Sequence, residues 1–138
     1  MLKAGSHLVL ATEDVARITA FFGEVFQIVP HYTHAEFSEF VLPSGFRIAF
    51  FRPVGKAQER FAVEPSRRSI GIGVTVDDVE DLYKRLVPIL GKSGASVSGP
   101  PKDHSWGERS FLLIDPDGNR WEITQSPSKD GMLVNRGS

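Results

Sequence analysis

The sequence predicts an α+β chain made of two repeated βαβββ units. Three observations carry this. A short alternating stretch leads into an apolar helical stripe at two places, after Ser6 and after Ser69. Each stripe is followed by three strand candidates. The two halves also match each other in sequence, which is how a duplicated architecture shows itself. Two such units, each burying one helix stripe against a sheet, imply a pair of sheets curved around a shared ligand groove.

The elements follow in order. From Ser6 to Thr12, His7, Val9 and Ala11 share one face, and Leu8 and Leu10 the other. Asp14 stands where a helix N-cap is needed. Ile18, Phe21, Phe22, Val25 and Phe26 give Val15 to Gln27 a single apolar face, and Pro30 closes the helix. A strand is expected near His31 to Ala35. Phe37 to Leu42 and Phe46 to Arg52 are strands joined through Pro43-Ser44-Gly45 as a hairpin. Pro53 to Arg68 is polar with mixed charge and reads as a linker. Ser69 to Val76 is a strand weakened by two glycines. Asp77-Asp78 opens a second helix, to about Leu90, with Val79, Leu82, Leu86 and Ile89 as its stripe and Pro88 shortening its last turn. Lys92-Ser93-Gly94 ends it. Ala95 to Ser98 is a short strand, and Gly99-Pro100-Pro101 begins a loop that reaches Trp106.

The last hairpin is the most informative stretch. Ser110 to Ile114 is apolar. Asp115-Pro116-Asp117-Gly118-Asn119 is turn chemistry, which accounts for those residues without any catalytic role. Arg120 to Gln125 alternates, so Glu122 points away from Trp121 and Ile123. The halves align here. His7 to Val15 lies over Gly71 to Val79, and Phe40 to Ala49 over Leu113 to Glu122. The expected organisation is one domain over residues 1–125. Repeat one covers about 5–53, the linker 54–68 and repeat two about 69–125. Residues 126–138 are a loose polar tail, and its final Arg136-Gly137-Ser138 resembles a cloning remnant.

Composition excludes several classes. With 138 residues, 41% hydrophobic and 24% charged, the chain is an ordinary globular domain. A net charge of −1 gives no electrostatic case for nucleic acid or an anionic membrane. No run approaches the ~18 apolar residues of a membrane span. The first residues lack a signal peptide's basic region and apolar core, so a cytoplasmic location is expected. Zero cysteines remove disulfide and thiolate chemistry. There is no Gly-x-Ser-x-Gly, no Ser with His and Asp in a recognisable context, and no phosphate-cradling glycine loop.

Taken together, Trp106-Gly107, Arg109, Phe111, Asp115-Pro116-Asp117-Gly118-Asn119 and Glu122 resemble the vicinal oxygen chelate superfamily, also called the glyoxalase/bleomycin resistance/dioxygenase family. The two strand-to-helix junctions at Asp14 and at Asp77-Asp78 support the resemblance, which runs from about His7 to Gln125. It implies the glyoxalase/bleomycin-resistance fold and a homodimer. In metal-dependent members the ligand places fall on the first strand of each repeat and near the end of its last. Carried over, those places are His7, Ala49, Gly71 and Glu122. Only His7 and Glu122 can bind a metal, whereas a catalytic centre uses about three protein ligands. Neither Ile70 nor Ile72 repairs the set under a register shift, and Ser69 is a poor ligand.

Each candidate also has a plainer reading. His7 is a ligand or base, or a strand-end histidine hydrogen-bonded at the surface. Glu122 is a general base, a carboxylate that orients a ligand, or a solvated strand residue. Trp106, beside His104, is a lid for a flat ligand or simple packing. Phe37, Phe50 and Phe111 line the cavity or face the helices, which strand parity does not decide. His31 and His34 are not spaced to share a strand face. The favoured expectation is a metal-independent protein that sequesters an aromatic or antibiotic-like small molecule, with no cofactor. Trp106, Arg109, Phe50 and Phe111 would line its cavity, and Glu122, His7 and Arg109 would supply polar contacts. The alternative is a lyase, isomerase, thiol transferase or dioxygenase of the same fold, using His7 and Glu122 for catalysis or to hold a divalent metal.

Overall fold

A computed structural model describes residues 1–56, 58 and 71–125 of the chain. Most of the expected linker, all of the expected tail, and Ser69 and Ile70 lie outside the described residues. The chain divides into two compact units, Met1–Glu64 and Pro65–Ser138. Both are α+β, with one sheet carrying helix on one face.

In the first unit β1 (His7–Ala11) leads to α1 (Val15–Phe26), then β2 (Tyr32–His34), β3 (Phe37–Val41) and β4 (Arg47–Phe51). The sheet order is β1-β4-β3-β2. β1 runs parallel to β4, because a helical crossover separates them, while the other pairs are antiparallel neighbours. The Asp14 carboxylate caps α1 by accepting from Arg17 N at 3.0 Å. The helix ends one residue earlier than the sequence suggested, with Gln27 in a left-handed conformation and Pro30 beyond it. Phe22 is the centre of the packing: its ring lies 4.6 Å from Phe40, 4.8 Å from Phe26 and 5.6 Å from Phe50. Phe40, Ile48 and Phe50 are fully buried beneath it.

In the second unit β5 (Gly71–Val76) leads to α2 (Val79–Leu86), capped by Asp78, which accepts from Asp81 N at 3.1 Å. The helix stops well short of Leu90. Pro88 removes a backbone donor, and Val87–Ile89 tightens to a 3-10 turn before the short α3 (Leu90–Ser93). Val79, Leu82 and Leu86 are buried, but Ile89 is only half-buried, because the tightened turn takes it off the stripe. β6 (Ser96–Val97), β7 (Lys102–Asp103), β8 (Arg109–Ile114) and β9 (Arg120–Gln125) complete the unit. The path is β5-β9-β8-β6, with β7 also on β8. The expected loop from Gly99 to Trp106 thus contains a strand, since Lys102 and Asp103 pair with Ser110 and Arg109.

The duplication is visible in the last turn of each unit. Leu42 N–H donates to the Phe46 carbonyl at 2.8 Å, and Gly45 N–H to Leu42 at 2.8 Å. Asp115 N–H donates to Asn119 at 2.9 Å, and Gly118 N–H to Asp115 at 2.9 Å. Gly45 and Gly118 have φ of 92° and 85°, which only glycine adopts without strain. In the second unit, Phe111, Leu113, Trp121 and Ile123 form the buried face toward the helix. Ser110, Leu112, Glu122, Thr124 and Gly73 share the opposite face. That face carries the candidate site.

Candidate functional site

The face of the second sheet opposite α2 holds an open cleft of about 590 Å³. Its floor is Ser110, Leu112 and Glu122, and its wall is residues 98–102 with His104 and Trp106. Backbone pairing builds that wall. His104 N–H donates to Glu108 O at 2.8 Å, and Gly107 N–H to His104 O at 3.0 Å, closing a tight turn between β7 and β8. His104 and Ser110 become diagonal cross-strand neighbours, with Nε2 2.6 Å from Oγ. Trp106, at the tip, stacks on His104 with ring centroids 4.4 Å apart and planes 8° from parallel. The indole is still 58% exposed, so it is held in orientation yet available for contact.

The candidate residues fall in both units, and each is described within its own. Glu122 is exposed on the cleft floor. Phe111 bounds the cleft but is buried, with its ring edge-on to Tyr83 of α2 at 5.3 Å. Phe50 belongs to the core of the first unit, against Phe22 and Phe40, because it lies on the helix-facing side of β4. Phe37 is half-buried in β3, its ring 5.9 Å from Tyr32. Arg109 is tied down: Nε donates to Glu80 at 2.7 Å and Nη1 to Asp103 at 3.1 Å. The Glu80 and Asp103 carboxylates hold its pKa above the ordinary arginine value, so it joins β8 to α2 and β7. His31 Nε2 is 2.7 Å from Glu39 Oε1. His7 is exposed at the start of β1, and its Nδ1 faces Ser6 Oγ and Arg47 Nη2. Trp121 is buried, with its Nε1 donating to Asp115 Oδ2 at 2.8 Å.

A divalent metal fits these donors poorly. Across β9 the register partner of Glu122 is Gly73 on one side and Leu112 on the other, and neither offers a ligand atom. Gly73, two residues beyond Gly71, is thus the β5 position beside Glu122. Among the described residues, no three His, Cys, Asp or Glu side chains converge as a metal centre would require.

The turn and cleft just described sit inside a stretch that matches a known family. The family model for the glyoxalase/bleomycin resistance protein/dioxygenase superfamily matches residues 6–123. The chain belongs to that superfamily. Solved structures share the fold. A glyoxalase-related enzyme from Fulvimarina pelagi is 26% identical, with TM-score 0.72, over 91% of this chain and 89% of that one. A glyoxalase/bleomycin resistance protein/dioxygenase from Nocardioides is 21% identical, with TM-score 0.69, over 94% and 87%. The fosfomycin resistance protein FosX of Listeria monocytogenes, solved with Mn(II) and sulfate, is 18% identical, with TM-score 0.69, over 99% of both chains. A search of curated proteins gives no match. Among the described residues, no helix of this superfamily member is long and apolar enough to cross a membrane.

Two residues of the cleft went unrecognised as a pair in the sequence: Ser110 and His104. Their hydrogen bond depends on β7, and two polar residues after Pro100-Pro101 give no strand signal. The turn glycine Gly107, three residues after His104, was the available clue.

Proposed function

We propose that this superfamily member is a metal-independent small-molecule binding protein of the bleomycin-resistance type, which acts by sequestration. The observation that carries the reading is the Trp106 indole, exposed yet fixed by its stack on His104, beside a cleft floored by Leu112 and Glu122. A flat aromatic or amphipathic compound would stack on the indole and bury apolar area against Leu112, while Glu122 accepts a hydrogen bond from it. Cytoplasmic location and a homodimer belong to the same proposal.

A second reading is favoured by the hydrogen bond between His104 and Ser110 in the same cleft. An imidazole held there, in the cleft that Glu122 also lines, is a general acid–base group in reach of a bound substrate. The enzyme reading would then be a lyase, isomerase, thiol transferase or dioxygenase, with His7 and Glu122 also available.

FosX, a fosfomycin resistance protein of the same fold, is recorded with Mn(II), which makes a metal titration the deciding experiment. Tag-free protein and its Glu122→Gln variant are titrated by calorimetry with Mn(II), Ni(II), Zn(II) and Fe(II). Neither is expected to bind at micromolar strength. Micromolar binding by the wild type that the variant loses makes Glu122 a ligand and puts the metal-dependent enzyme first. Planar hydrophobic compounds, antibiotics included, are then screened by quenching of Trp106, since Trp121 is buried and reports little.

A further inference from the structure

Arg109 belongs to the sequence motif around Trp106, yet its side chain lies away from the cleft. It alternates with Ser110 on β8, so it sits on the face toward α2 while Ser110 sits on the cleft floor. There the guanidinium uses two of its edges. Nε donates to Glu80 Oε1 at 2.7 Å, Nη2 faces the same oxygen, and Nη1 donates to Asp103 Oδ1 at 3.1 Å. Glu80 is a firm anchor. It stands in the first turn of α2, and that turn is tied to β9 by Val79 N–H, which donates to Gln125 Oε1 at 2.9 Å. Asp103 is the other end. It is the cross-strand partner of Arg109 and the last residue of β7, directly before His104.

Backbone pairing alone holds β7 weakly, because the strand is two residues long and both are exposed. Two side-chain links fasten this arm to β8, one on each face of the sheet. On the cleft side His104 Nε2 meets Ser110 Oγ at 2.6 Å. On the helix side Asp103 meets Arg109. His104 in turn carries the Trp106 indole by its stack. The guanidinium also separates two like charges. Without it, the Glu80 and Asp103 carboxylates would repel each other and push β7 off its course.

We propose that Arg109 is a positioning residue of the cleft: by bridging Glu80 of α2 and Asp103 of β7, it holds the His104–Gly107 turn in the arrangement that stacks Trp106 on His104. Its weight in binding rests on the reading of Trp106 as a ligand platform. Its test reads the ligand-free protein, so either can fail while the other stands.

The test is amide hydrogen exchange by NMR on the tag-free full chain. Two amides report on the turn: His104 N–H, which donates to Glu108 O, and Gly107 N–H, which donates to His104 O. Arg109→Gln is expected to speed exchange at both about fivefold relative to the amides of β9, the scale on which one or two partly exposed ion pairs act. The His104 ring-proton shifts, displaced by the stacked indole, should move toward those of Trp106→Ala. Asp103→Asn should reproduce both changes, and with that side chain 82% exposed the variant keeps its fold. Arg109→Lys keeps the charge but presents one compact ammonium in place of two edges, and should fall between wild type and Arg109→Gln. A residue that merely tied α2 to the sheet would give another pattern, with Val79 N–H and the β9 amides quickened as much as the turn. The inference is overturned by that pattern, by turn amides that exchange alike in wild type, Arg109→Gln and Asp103→Asn, or by His104 ring shifts unchanged in both variants.

Discussion

Replacing Asp115 by alanine is expected to cost about 3–5 kcal/mol of stability, a large part of what a domain of this size has. The buried Asp115 carboxylate organises the last hairpin. Oδ1 accepts from Asp117 N and Asn119 N, both at 2.9 Å. Oδ2 accepts from Asn119 Nδ2 at 2.9 Å and Trp121 Nε1 at 2.8 Å. Asn119 and Trp121 are themselves buried, so truncation would strand donors where water cannot replace the lost acceptor. Asp115→Asn keeps one carbonyl oxygen and should lose roughly half as much. Urea unfolding followed by the fluorescence of Trp121 measures both. A loss below about 1 kcal/mol for alanine would show that the turn backbone holds itself without the carboxylate.

Trp106→Ala should have the largest effect on binding. An exposed indole oriented by a stacked imidazole is the kind of aromatic anchor whose loss costs about 2 kcal/mol or more, roughly a thirtyfold drop in affinity. Because Trp106 is 58% exposed and adds little to the core, the unfolding midpoint should barely move. Equilibrium dialysis of a compound found in the quenching screen gives the affinity without relying on the deleted fluorophore. Unchanged affinity would remove the cleft from the proposed function, since the indole is the observation on which that proposal rests.

The buried faces were legible because local periodicity encodes them. Ile18, Phe21, Phe22 and Val25 recur at helical spacing and are buried, and alternation placed Glu122 opposite Trp121 and Ile123. The caps at Asp14 and Asp78 and the turn at Gly118 are equally local, and so could be named from the residues alone. The site was less legible because long-range pairings decide it. Arg109 finds Glu80, 29 residues away, and His7 finds Arg47, 40 residues away. No spacing rule announces such partners. Phe50 and Phe111 show the limit of parity: it divides a strand into two faces without saying which one the helix covers, and both rings lie on the covered side. β7 escaped notice because two residues after a Pro-Pro step form a strand only when β8 supplies the hydrogen bonds.

The bare face of β5 bears on how this chain can change. A side chain added at Gly73 would meet nothing within 4 Å, and the backbone there is not in the left-handed region. The position is beside Glu122 in the parallel ladder. A histidine or glutamate at Gly73 would start from a Cβ with open space around it, and would strengthen a strand that glycine weakens. Its first effect would be to set a second donor next to an existing carboxylate. A scaffold of this kind leaves room at Gly73 for the first atom of a new donor side chain beside a carboxylate that is already in place.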